Sequence, residues 1–330
     1  MSRNICVSTA EGNTGFLIAK LLLTDPKFRK NVDRVTALAI NTQSPYVQEL
    51  EKLGAVVAQH RPGRVSDTTQ ALRYTEADTL MLIPPAHVDK IDITLEILEA
   101  AKRVNIGSVC LLSAAGCDMA DRDAQPRLRE FIELEVALMK MKGDPSTRTG
   151  YSNCIIRPGF YAENLLLYTP QAQAEGLLPI PIGRDHQFPP IALKDVAELA
   201  AHVLTSKGKH GFSDRHRGQL MTMTGPMLVT GDELAEIASK TLGVKLVFDD
   251  VSGNEARRLL RFQTTHDEAE RQYLLEYYSL VREGKTNYIS TNCFHDVTGS
   301  HPIEPPQFFD IYKDQFMPKM ALQKVESDGA

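Results

Sequence analysis

The chain alternates short continuous apolar runs with longer stretches in which apolar residues recur at helical spacing. Ile5 to Ser8, Val35 to Ile40, Ala55 to Gln59, Thr79 to Ile83, Ser108 to Ser113 and Ser152 to Arg157 read as buried strands. Between them, Phe16 to Leu23, Val65 to Tyr74, Val88 to Val104 and Arg127 to Lys142 read as helices. Ser44-Pro45 opens another helix, with Ser44 as its cap and Pro45 at its first position. Strands alternating with helices predict an α/β fold: a doubly wound parallel Rossmann-type sheet with right-handed crossovers.

After Gly159 the alternation loosens. Residues 1–158 are expected to form a dinucleotide-binding domain, to which segments around 190–225 return. Residues 159–318 are expected to form a smaller C-terminal α/β substrate lobe, and 319–330 a flexible tail. In this half, Ala192 to Leu204 and Gly231 to Leu242 read as helices, Gly218 to Thr224 and Val244 to Phe248 as strands, and Ser252 to Glu283 as mostly helical.

The first strand runs into a small, polar turn before the first helix. Thr9, Gly12 and Gly15 stand three apart, the G-x-x-G-x-x-G spacing of extended short-chain dehydrogenases with the first glycine replaced. In such turns the first glycine permits the sharp bend, the second admits the pyrophosphate, and the third lets helix and strand pack closely. A β-branched Thr9 is unfavourable wherever that bend needs a positive φ. The backbone amides of Thr9, Ala10, Glu11, Gly12, Asn13, Thr14 and Gly15 are the expected cradle for a dinucleotide. Glu11 works against it: at about 6 Å and an effective dielectric near 20, a carboxylate repels a phosphate charge by roughly 3 kcal/mol before screening.

Composition narrows the class. A chain of 330 residues with net charge -5 can bury a full core and is poorly suited to non-specific nucleic-acid binding. No apolar run reaches membrane-spanning length, and no signal-peptide pattern opens the chain, so a cytoplasmic protein is expected. The five cysteines include no C-x-x-C, and Cys6, Cys110 and Cys154 fall in predicted strands as small core residues. The nine histidines show no ligand spacing, and no metal is expected. The expected partner is a small-molecule substrate, with the chain a monomer or homodimer.

Ile155-Ile156-Arg157-Pro158-Gly159-Phe160-Tyr161-Ala162-Glu163-Asn164-Leu165 resembles the I-R-P-G-x-F-x-E-N-L segment of NmrA-like proteins, a branch of atypical short-chain dehydrogenases/reductases. Ala192-Leu193-Lys194-Asp195-Val196-Ala197 and Met221-Thr222-Met223-Thr224-Gly225-Pro226 are similar to that family's D-V-A and L-T-G-P segments. Leu82-Ile83-Pro84-Pro85, Leu111-Leu112-Ser113-Ala114 and Val297-Thr298-Gly299 resemble its fungal ergot-alkaloid branch, the agroclavine-dehydrogenase type. The resemblance implies a nicotinamide fold with its active site between two lobes. It adds Ile83, Pro84, Pro85, Pro158, Gly159 and Phe160 to the expected cofactor contacts. It also implies either reduction of small organic substrates in secondary metabolism or redox sensing by a regulator with little turnover.

Short-chain dehydrogenases use a Tyr activated by a Lys four residues on, with a Ser to position substrate. Ser113 stands at the end of strand five, where that Ser belongs, and Tyr161 follows the R-P-G-F turn. No Tyr-x-x-x-Lys pair is present, and the start of the helix after strand five carries Arg129 but no Lys. Glu163 and Asn164 are expected to brace the next helix, and Asp185-His186 to lie in a loop between lobes. Cofactor choice rests on Ile40 and Asn41 at the end of strand two, which offer neither a ribose-gripping acid nor an arginine for a 2′-phosphate. The Ser44-Pro45 helix start tilts the choice toward NADP over NAD. Three readings stay open: an NAD(P)H-dependent reductase of an imine, iminium, quinone or enone; a cofactor-free isomerase or cyclase in the same cleft; and a non-catalytic NmrA-type redox-sensing regulator.

Overall fold

The computed structural model describes residues 2–142, 144–263 and 267–318; the expected tail at 319–330 lies outside them. The first half runs β1 (Arg3–Val7), α1 (Asn13–Thr24), α2 (Pro26–Arg29), β2 (Val32–Ala39), α3 (Pro45–Lys52), β3 (Val56–Gln59), α4 (Val65–Tyr74), β4 (Thr79–Leu82), α5 (Lys90–Arg103), β5 (Ser108–Leu112), α6 (Pro126–Lys142) and β6 (Ser152–Pro158). A 3-10 helix (Ala162–Tyr168), α7 (Thr169–Glu175), β7 (Leu177–Pro179), α8 (Leu193–Thr205), β8 (Leu220–Met223), α9 (Gly231–Leu242) and β9 (Val247–Asp249) follow. The chain closes through α10 (Gly253–Gln263), α11 (Glu268–Arg282), α12 (Thr291–Thr298), α13 (Pro305–Ile311) and α14 (Lys313–Phe316).

Seven parallel strands form one sheet in the order β3-β2-β1-β4-β5-β6-β8. The order reverses between β1 and β4, which opens a crevice at their C-terminal ends. β7 and β9 make a separate two-stranded parallel sheet. This is a Rossmann-type α/β fold with a smaller α/β lobe. Three apolar clusters hold it. One packs α1, α8 and α12 on one face of the large sheet, through Ile18, Leu22, Val196, Leu199 and Phe294. A second packs α4, α5 and α6 on the other face, through Leu72, Ile97, Leu98 and Leu138. A third fills the lobe around Phe160, Tyr168, Leu234, Tyr278 and Phe309. Cys6, Cys110 and Cys154 are buried strand residues.

Several local expectations shift. β2 starts at Val32 and β9 at Val247, three residues on either side of the expected starts. Ser44 holds the N-cap position of α3, yet its side chain makes no cap bond; Pro45 presets the first turn instead. The stretch from Ser252 to Glu283 divides into α10 and α11, the latter capped by the Asp267 carboxylate accepting from Ala269 N–H.

The lobe is tied to the large sheet at the start of α8. Glu163 Oε2 accepts from Leu193 N–H (2.8 Å), so Glu163 braces α8 rather than the helix next to it. Asp195, 3% exposed, accepts from Ile303 N–H (2.8 Å). Burial, then the nearby Glu198 and Glu163, push the Asp195 carboxyl up from 3.8 to about 6. A native pKa above the unfolded one means the folded state holds the extra proton between those values, so stability falls as pH rises through that window and levels off above it. Wild type is expected to lose about 1–2 kcal/mol relative to Asp195→Asn between pH 4 and pH 6.5, after discounting for partial solvation, in denaturant melts across that range.

Candidate active site

β1 feeds into α1 through the turn at Thr9. Thr9 has φ +51°, the left-handed conformation the spacing implied for its position. Its hydroxyl donates to the Ile83 carbonyl (2.6 Å), and Ser8 Oγ accepts from Ile83 N–H (2.7 Å), so the ends of β1 and β4 are laced together. Gly15 lies against the Thr9 carbonyl: a Cβ there would stand 2.3 Å from that oxygen. At Gly12 a Cβ would clear the same oxygen at 3.4 Å. Gly12 caps α1 with no side-chain bond, and the first turn carries no acid. The first helical bond runs from Phe16 N–H to Gly12 O (2.9 Å), so the amides of Asn13, Thr14 and Gly15 precede the helical ladder. With the helix dipole behind them they make an anion cradle.

Glu11 does not fill this cradle. Its carboxylate turns to the end of β2, where Oε1 accepts from Ile40 N–H (2.8 Å) and Asn41 N–H (3.4 Å). Oε2 is buried with no partner, and desolvation raises the Glu11 pKa against those backbone bonds. The repulsion anticipated from the sequence is therefore directed at the corner beyond β2 rather than at the helix start.

A cleft of about 580 Å³ begins at Gly12–Gly15 and runs between the sheet and the lobe. Phe16 and Tyr46, stacked with centroids 4.4 Å apart, wall one end. Phe131, Tyr273, Leu274 and Tyr312 wall the other. Of the residues expected at the site, Thr9, Gly12, Asn13, Thr14, Gly15, Ile83, Pro84, Pro85, Ser113 and Tyr161 border this cleft. Ala10, Glu11, Ile40, Asn41, Pro158, Gly159 and Phe160 are outside its walls. Gly159 N–H bonds Met223 O (2.8 Å), and Phe160 is 2% exposed in the lobe core, edge-on to Phe188. Asp185 and His186 do not border it either.

The Ser113 hydroxyl is already engaged. Ser113 Oγ donates to Glu135 Oε1 (2.5 Å), and Arg157 grips both oxygens of that carboxylate (2.8 and 2.7 Å). The Ser113 proton is thus committed to an ion pair whose two members are 6% and 8% exposed. Burial raises the Tyr161 pKa above that of a free phenol, with Glu163 adding to the effect, opposite to the depression a proton-donating tyrosine needs. Arg129 donates to the Asp118 carbonyl (3.1 Å), away from the cleft.

Arg127, Arg271 and Lys90 border the cleft, all missed by sequence reasoning, and the buried one is Lys90, on α5. It is 6% exposed, donates to Arg127 O (2.6 Å), lies 3.0 Å from Glu130 Oε2 and sits 4.1 Å from the Phe131 ring centre. Burial lowers its pKa, though Glu130 opposes this. A signal was present: Lys90 shares the buried face of α5 with Ile93, Thr94 and Ile97, where a lysine needs a partner. Among the described residues no group of three or more His, Cys, Asp or Glu could hold a metal, and no helix is long and apolar enough to cross a membrane.

No family profile matches the chain. It is 27% identical over 161 residues to prestalk A differentiation protein A of Dictyostelium discoideum, covering 48% of this chain and 50% of that one. It is 25% identical over 249 residues to quinone oxidoreductase 2 of Escherichia coli strain K12, covering 75% and 78%. The chain thus spans half the length of the first of these relatives. Among solved structures, Citrobacter sp. triphenylmethane reductase complexed with NADP(H) superposes with TM-score 0.74 at 19% identity, over 94% of this chain and 100% of that one. NmrA, a negative transcriptional regulator in complex with NADP, does so with TM-score 0.71 at 13% identity, over 100% and 98%. These likenesses fix the fold.

Gly15→Ala is expected to cost about 1–3 kcal/mol of stability through its contact with the Thr9 carbonyl. Gly12→Ala should melt within about 0.5–1 kcal/mol of wild type. Paired thermal melts check both.

Proposed function

We propose that this chain is a nicotinamide-dinucleotide-dependent reductase of a small, largely apolar organic acceptor: a quinone, an imine or iminium, or an enone. The observation that carries this reading is one continuous cleft lined both by the helix start Asn13, Thr14 and Gly15, whose amides precede the helical ladder, and by the aromatic side chains Phe131, Tyr273 and Tyr312. The activities of two proteins it is similar to, quinone oxidoreductase and triphenylmethane reductase, support it. The Arg157-to-Leu165 motif and the likeness to NmrA support placing the chain among NmrA-like atypical short-chain dehydrogenases; a role in secondary metabolism rests on the segments that resemble the agroclavine-dehydrogenase type.

Asn13, Thr14 and Gly15 would hold the diphosphate, and the Ile83–Pro85 segment would back the cofactor, where Thr9 pins it. When bound, the nicotinamide ring supplies a hydride. The residues around it supply position and dryness. Tyr161 can donate a hydrogen bond while keeping its proton, because its pKa is raised. Ser113 can accept one, because its own proton is on Glu135. Such a site suits an acceptor that is already electrophilic and draws its proton from water at the cleft mouth.

Mixing the protein with reduced dinucleotide and a panel of quinones, iminium salts and enones should show dinucleotide oxidation matched by acceptor reduction. Silence across the panel would refute the reading. A protein acid is worth about 10²–10⁴-fold. Tyr161→Phe is expected to slow turnover by less than about tenfold, with the pH profile unchanged, since the phenol is not the acid.

A further inference from the structure

The corner beyond β2 holds a charge the reductase reading leaves without a task. Glu11 reaches across from the turn, and its Oε1 is fixed by the last amides of β2, Ile40 and Asn41 (2.8 and 3.4 Å). Its Oε2 is buried on a half-buried side chain and has no hydrogen-bond partner. In open parallel sheets a carboxylate at the end of the second strand is placed to accept from the hydroxyls of an adenosine ribose. We infer that Glu11 is that acid, delivered from the glycine turn instead of from β2, and that the site therefore selects NADH over NADPH.

The chemistry is one-sided. A ribose 2′-hydroxyl carries a donor, which Oε2 lacks. A 2′-phosphate near neutral pH brings acceptor oxygens and a charge of about −1.5 to −2, which a fixed carboxylate repels. Among the described residues, the nearby cations already have acidic partners. Arg61 and Arg64, on the loop after β3, both face Asp67 (3.6 and 3.9 Å). Lys20 pairs with Glu49 (2.8 Å). His60 is 3% exposed, and burial lowers its pKa, so it adds no charge. The start of α3, with Ser44 uncommitted at its cap, is the one feature that favours a phosphate. A desolvated carboxylate missing a donor outweighs it. NADP is favoured by the Ser44-Pro45 helix start and is the coenzyme in the triphenylmethane reductase and NmrA complexes; Glu11 is what would set this chain apart from them.

The inference rests on the reductase reading, and calorimetric titration of the full chain separates the two. Wild type should bind NADH at least about tenfold more tightly than NADPH. Glu11→Gln, with an unchanged thermal melt, should bring the two affinities within about threefold of each other. Asn41→Arg, which keeps the amide and adds a cation, should move the ratio about tenfold toward NADPH, and stands in if Glu11→Gln fails to fold. Equal or tighter NADPH binding by wild type, or a ratio that Glu11→Gln leaves unmoved, overturns the inference while the dinucleotide reading stands. Binding of neither coenzyme overturns both.

Discussion

The site depends on how closely α1 approaches β1. Gly15 sits on the Thr9 carbonyl with no room for a methyl group. That contact sets the angle at which the helix leaves the sheet, and it obliges Thr9 to bend through φ +51°. A β-branched residue in this conformation costs about 1–2 kcal/mol. The Thr9 hydroxyl recovers about 1 kcal/mol by bonding the Ile83 carbonyl. A glycine would carry no strain here, but it would leave β4 untethered. The substitution exchanges freedom in the turn for a fixed relation between the two strands where the sheet order reverses.

Electrostatics follow the same economy. Glu135, Lys90 and Asp195 are matched before any ligand arrives: Glu135 by Arg157 and Ser113, Lys90 by Glu130 and the Arg127 carbonyl, Asp195 by Ile303. Buried charges need such partners, or they shift their protonation instead. What stays open is a row of backbone amides and an aromatic wall. Such a surface orients a ligand and excludes water, and leaves acid–base chemistry to the substrate and solvent.

Much of this could be read from the chain. Alternating buried runs and helical periods predicted a parallel doubly wound sheet, and the spacing of Thr9, Gly12 and Gly15 located the turn and its strain. Three parts could not be read. Glu11 and Phe160 lie in irregular segments, where no period says which way a side chain points; one crosses to β2 and the other sinks into the lobe. Lys90 reaches the cleft only because α5 and α6 pack side by side, a contact spanning 37 positions of sequence. The outer wall comes from α11 and Tyr312, far along the chain, where a helical pattern shows an apolar face without showing what it covers.

The lobe core around Phe160, Tyr168 and Tyr278 is separate from the two clusters that clamp the sheet. That separation makes the molecule modular. Mutations that reshape the aromatic wall are absorbed within the lobe, and the strained turn at Thr9 is buttressed from the other side by α1 and α8. Substitutions on the aromatic wall would therefore leave the amide cradle at Asn13 to Gly15 where it stands.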